Sequence, residues 1–79
     1  MSYRSFVESL IESVVDHPQV VELTEEASGG VRTFYIRVHP DDVGRIIGKG
    51  GRVVQAIRWV VTAVAAHERE KAFVKIVTE

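Results

Sequence analysis

Cysteine is absent from this 79-residue chain, which removes disulfides and thiolate metal sites and fits a reducing compartment. Long hydrophobic runs are missing too: each is broken by charge well short of the ~20 residues that span a bilayer. The first residues, Met1-Ser2-Tyr3-Arg4-Ser5, lead into an amphipathic segment carrying Glu8 and Glu12, which is not a signal-peptide pattern. The expectation is a soluble cytoplasmic protein without a membrane partner. Internal repeats and low-complexity tracts are also lacking. At this length a single small domain is expected over residues 1–79, near the lower limit at which one core sustains itself.

Basic excess is lacking as well, since the net charge is −1. Taken alone, that argues against nucleic acid as a partner. The distribution argues the other way. Residues 1–30 hold one base, Arg4, and six acids, whereas residues 31–79 hold nine bases and five acids. Between Arg45 and Arg58 there are four bases (Arg45, Lys49, Arg52, Arg58) and no acid. Positive charge is therefore concentrated in one stretch.

That stretch also holds three glycines in four positions, within Ile46-Ile47-Gly48-Lys49-Gly50-Gly51-Arg52-Val53-Val54. Glycine costs roughly 1 kcal/mol inside a helix, so the spacing predicts a helix, a tight loop and a second helix from about Arg52. A loop without Cβ atoms admits close approach of another backbone. A helix start beside it offers unpaired N–H groups and a positive dipole end. With Lys49 and Arg52, the combination suits a phosphate-bearing partner.

Elsewhere, Phe6/Val7, Leu10/Ile11 and Val14/Val15 predict a helix over 3–16, with Ser2 or Ser5 as its cap and Ser5–Glu8 at capping-box spacing. Pro18 ends it. Alternation predicts a strand over 20–26, a turn at Ala27-Ser28-Gly29-Gly30 and an antiparallel return over 31–39. Pro40, Asp41 and Asp42 open a short helix ending at the glycines, the two carboxylates capping its start. The longer helix spans 52–67, with Val53, Ile57, Val60, Val61 and Val64 as its buried stripe. A last strand covers 72–78. The order αββααβ predicts an α+β sandwich, with three helices on one face of a three-stranded sheet.

Three phosphate motifs compete for the loop. A Walker A loop needs four residues between its glycines, then Lys and Ser/Thr after a strand; here there are three, a glycine replaces the hydroxyl, and a helix precedes. A dinucleotide fingerprint needs G-x-G-x-x-G after a strand, and neither spacing nor context is present. The GxxG loop of KH domains, which clamps about four nucleotides, matches Gly48-Lys49-Gly50-Gly51 between two helices. Catalysis finds no support, as no hydroxyl has a base and acid at recognisable spacing. His17, His39 and His67 fall at no ligand spacing, so no metal, cofactor or small-molecule substrate is expected.

Ile47-Gly48-Lys49-Gly50-Gly51-Arg52-Val53-Val54 resembles the I-G-x-x-G-x-x-I/V core of KH domains, and the element order resembles their type II arrangement. With Val15-Asp16-His17-Pro18 and Asp42-Val43-Gly44-Arg45-Ile46-Ile47, nearly the whole chain is similar to the small bacterial KH proteins of the KhpA family. The resemblance implies an N-terminal helix and strand over 3–26, a minimal βααβ core over 31–78, and binding of single-stranded RNA with little sequence selectivity. It implies an RNA chaperone or post-transcriptional regulator, pairing with itself or with a larger Jag-type KH protein.

Position by position, the resemblance gives Gly48, Lys49, Gly50 and Gly51 to a phosphate clamp. Ile47 and Val54 become the floor of a base groove, or simply core. Phe34 and Ile36 become its far wall, with Arg45 and Arg52 flanking the RNA backbone. Arg58 either touches RNA or is a solvated charge. Trp59 falls off the buried stripe and marks either a dimer contact or the edge of the core. Tyr35, Phe73 and Val77 raise the same question on the open sheet face, and self-association is expected through the long helix or that face. The alternative function is a protein-assembly module with weak RNA contact.

Overall fold

The apolar periodicities resolve into α1 (Arg4–Val14), β1 (Glu22–Ser28), β2 (Val31–Arg37), α2 (Val43–Ile47), α3 (Arg52–His67) and β3 (Lys71–Ile76). They are seen in a computed structural model that describes residues 3–78. Three short 3-10 turns join them, at Pro18–Val20, Pro40–Asp42 and Lys49–Gly51. The αββααβ order is the expected one.

Gly29 and Gly30 both take positive φ, at 57° and 80°, the backbone of a tight hairpin that matches strand twist. β1 and β2 therefore pair antiparallel, from Ser28 opposite Val31 to Glu22 opposite Arg37. β2 and β3 pair parallel, from Val31 opposite Lys71 to Ile36 opposite Ile76. Parallel neighbours need a crossover, which α2, the glycine turn and α3 supply. The strand order β1-β2-β3 leaves β3 at an edge.

One face of this sheet carries the core. Phe34 and Ile36 of β2 are fully buried, against Val7 and Ile11 of α1, Ile46 of α2, and Ile57, Val61 and Ala65 of α3. Side chains alternate across a strand, so Thr33, Tyr35, Phe73 and Lys75 stand on the face without helices. The buried stripe of α3 runs Val54, Ile57, Val61, Ala65. Val60, expected in that stripe, is 39% exposed, because the helix turns its 54–57–61–65 line inward.

Several boundaries depart from expectation. α1 stops at Val14, and Val15 is already extended (φ −100°, ψ 159°). The Ser5–Glu8 capping box does not form, since the helix begins at Arg4 and lacks a side-chain cap; Glu8 instead faces Arg4 at 3.5 Å. Ser2 lies outside the described residues. Pro18, with its φ already helical, opens a 3-10 turn where a strand was expected to begin.

Asp41 and Asp42 do not share the capping role expected of them. The Asp41 N–H donates to His39 Nδ1 at 3.0 Å. Asp42 is 1% exposed and reaches back across the chain. Its carboxylate accepts from the amides of Asp16 (3.1 Å) and His17 (3.0 Å) and meets His17 Nδ1 at 3.0 Å. Burial pushes the Asp42 carboxyl up, but the Asp16 and His17 donors outweigh it and hold it below its ordinary value. The segment after α1 is thereby tied to the start of α2.

A second polar cluster closes the other end. Arg32 bonds Glu25 and, at 3.0 Å, Glu70; Arg4 also bonds Glu25 at 2.8 Å. Tyr3 donates to Glu70 at 2.7 Å, and burial with that bond pushes its hydroxyl up to about 12. The Arg4 bond holds Glu25, and the Arg32 bond Glu70, below the ordinary value of 4.5. Depressed carboxyls stabilise fully above the unfolded value and lose that contribution as pH falls through their folded values. The melting temperature is expected to drop as pH falls from neutral to the acid side of 4.5, and Glu70→Gln to flatten that dependence. An unchanged slope in the variant contradicts the role given to this cluster.

Candidate nucleic-acid interface

The turn between α2 and α3 is built from three glycines at positive φ: Gly48 at 78°, Gly50 at 66° and Gly51 at 76°. Their reasons differ. A Cβ on Gly48 would stand 2.4 Å from Val53 Cγ2 and 2.8 Å from the Val53 amide nitrogen. Gly48 thus lets the corner close against the first turn of α3. Around Gly50 and Gly51 nothing lies within 4 Å of such a Cβ, so their backbone faces open space. The amides of Gly51 and Arg52 donate within the turn, to the carbonyls of Gly48 (3.1 Å) and Lys49. Those of Lys49 and Gly50 make no such bond among the described residues.

The cations near the turn divide in the same way. Lys49 and Arg52 are exposed and join no ion pair among the described residues. Arg45 instead bonds Asp16, Nη2 to Oδ2 at 2.9 Å, which ties α2 to the segment after α1. Arg58 donates from Nε to the Val74 carbonyl at 3.2 Å. It therefore bridges α3 to the free edge of β3 and is not simply solvated.

Between those two elements runs a groove of about 600 Å³, lined by Arg58, Thr62 and Ala66 of α3 and by Lys71 to Lys75 of β3. The far wall is the edge strand. Phe34 and Ile36, assigned to that wall from sequence, are completely buried on the central strand. Alternation identified the strands but carried no information on their order in the sheet. Ala72 and Val74 are the wall residues that sequence reasoning missed. Ile47 is partly buried and Val54 is 7% exposed, so both contribute to packing beneath the turn.

On the outer face of α3, Gly50, Gly51, Arg52, Gln55, Ala56 and Trp59 line a smaller hollow of about 360 Å³. Trp59 is 70% exposed and does not seal the edge of the core. It shares a surface with the outer side of the glycine turn.

Three potential metal ligands converge away from this region, a proximity that sequence spacing did not reveal. Ligand atoms of His17, His39 and Asp41 lie within 4.8 Å of one another. The two imidazoles stack, with centroids 4.0 Å apart and planes 15° from parallel. Because His39 Nδ1 accepts the Asp41 amide proton, its own proton sits on Nε2, where a ligand needs a lone pair. Stacked rings also direct their nitrogen lone pairs alongside each other rather than toward one point. Hydrogen bonding accounts for this cluster.

A β–α–turn–α–β core, with a glycine corner between the helices and an open edge strand beside them, is the architecture of a type II KH domain. The family model described as KhpA/KhpB, KH domain matches residues 4–76, and the chain belongs to that family, which is non-enzymatic. "RNA-binding protein KhpA" of Oceanobacillus iheyensis is 41% identical over 75 residues, covering 92% of this chain and 97% of that protein. The protein of the same name from Clostridium perfringens is 38% identical over 74 residues, 94% of this chain and 99% of the relative. That of Listeria monocytogenes is 38% identical over 69 residues, 87% and 91% respectively. No solved structure matches at a significant level.

The two glycine roles make different demands on stability. Gly48→Ala is expected to cost more than ~2 kcal/mol, since it adds a clash to left-handed strain, whereas Gly50→Ala should cost only about 1 kcal/mol. Denaturant unfolding of both variants checks the order; equal costs contradict the division.

Proposed function

We propose that this protein binds single-stranded RNA without catalysis, clamping its backbone at the Gly48-Lys49-Gly50-Gly51 turn. One observation carries the reading: an open Gly50-Gly51 backbone between two exposed cations, Lys49 and Arg52, both without ion pairs among the described residues. A phosphate approaches unbonded amides there without meeting a Cβ, and the flanking charges hold it. The relatives' printed name, RNA-binding protein KhpA, supports the same ligand.

From the clamp, bases enter the groove between α3 and β3. The β3 edge offers backbone N–H and C=O groups to base edges, and Arg58 at the Val74 carbonyl adds a donor. Backbone groups are the same whatever the side chain, and the groove is short, so sequence selectivity is low. Ile47 and Val54 support the turn from below. Arg45, held by Asp16, acts on RNA only if that pair opens.

About four nucleotides contact one such domain, so useful affinity draws on a second module. The exposed Trp59, with Val60 at 39% exposure beside Ala56 and Ala63, supports a dimer through the outer face of α3. The second copy is this chain or a larger Jag-type KH protein. The one-domain organisation, a cytoplasmic setting and a role in RNA chaperoning or post-transcriptional regulation complete the reading. An assembly module with weak RNA contact is the competing one, and Trp59 is the observation in its favour.

Gly50→Asp, at a position with open space and a φ that Asp tolerates better than most residues, is expected to abolish binding of single-stranded RNA while its unfolding curve stays close to wild type. Retained affinity contradicts the clamp. Trp59→Ala is expected to shift the protein from dimer to monomer in sedimentation equilibrium. A wild type that stays monomeric at high concentration contradicts the interface.

A further inference from the structure

The sheet face without helices is not uniform. Its β1 row carries Glu22, Thr24 and Glu26, whereas its β3 row carries Lys71, Phe73 and Lys75, all exposed. Phe73 is 53% exposed, set between two lysines on the same side of the strand. Neither lysine has an ion-pair partner among the described residues. On β2, Thr33 pairs with Phe73 and Tyr35 with Lys75, placing the Tyr35 ring diagonally beside Phe73. A side-chain hydrogen bond to Glu26 of the acidic row raises the Tyr35 hydroxyl above its ordinary value.

An aromatic ring between unpaired lysines on an open sheet is how single-stranded nucleic acid is stacked: every base has a π-face, and the cations follow the phosphates. The alternative occupant, a second copy apposed on the same row, would bring like charges together around a small apolar patch. The acidic β1 row repels phosphate and confines any bound strand to the β3 side.

We infer that Phe73, with Lys71 and Lys75, forms a second contact surface for RNA, taking nucleotides that leave the groove over the β3 edge onto the open face of the sheet. The inference rests on the groove reading above, since the same stretch of β3, from Lys71 to Lys75, bounds the groove. It extends the site beyond the turn and commits Phe73 to stacking with one base.

The test compares fluorescently labelled tetra- and hexanucleotides of oligouridine. Wild type is expected to bind the longer RNA about tenfold more tightly. Phe73→Ala should remove most of that gain, and Phe73→Tyr should restore it. Replacing both lysines by Gln should lower the salt dependence for the hexanucleotide by about 0.7 for each phosphate that is no longer neutralised. A full length gain in Phe73→Ala overturns the proposal. So does a changed oligomeric state in that variant with the length gain intact, which marks a protein contact. Gly50→Asp separates the two readings: if it leaves tetranucleotide binding intact, the clamp fails, whereas loss of the length gain in Phe73→Ala alone bears only on the sheet face.

Discussion

The parallel pairing of β2 with β3 dictates the path of half the chain. The chain leaves β2 at Arg37 and must re-enter the sheet beside it, in the same direction, at Lys71. The residues between form two helices on one face, and the path folds back on itself within the four residues 48–51. Only glycine meets both demands of that corner, a positive φ and no Cβ where Gly48 touches Val53. The same crossover places β3 outermost and opens a groove between it and α3. The glycine corner and the groove are thus consequences of one topological choice.

Two polar clusters hold this arrangement in register. Asp42 gathers the amides that follow α1 and fixes the start of α2. Arg32 joins β1, β2 and the loop before β3 through Glu25 and Glu70. Both clusters consume charge that composition alone would leave free. They also explain how a protein of net charge −1 presents a basic surface. Many of its acids are engaged in ion pairs or hydrogen bonds, while Lys49, Arg52, Lys71 and Lys75 join no ion pair among the described residues.

Local features were readable from residues alone. The bounds of α3 follow from the glycines before it and the charged turn after it. The hairpin follows from Gly29-Gly30, and the corner from the failed Walker and dinucleotide spacings. What escaped was long-range. The Asp42 carboxylate meets amides about 25 positions away, so adjacency to Asp41 suggested a cap. Arg45 lies among bases in sequence and beside Asp16 in space. Strand alternation cannot distinguish an edge from a centre, which is why Phe34 and Ile36 were assigned to a wall that β3 provides. The histidine stack likewise joins residues 17 and 39 across two elements.

On the proposed path, RNA enters at the glycine turn and lies along the edge of β3. Titrating an isotopically labelled protein with a single-stranded tetranucleotide, and following each backbone amide by NMR, tests it most directly. The largest shifts are predicted at Lys49, Gly50 and Arg52 and along Ala72 to Ile76. Shifts confined to Gln55, Trp59 and Val60 on the outer face of α3, or none at any concentration, would contradict it.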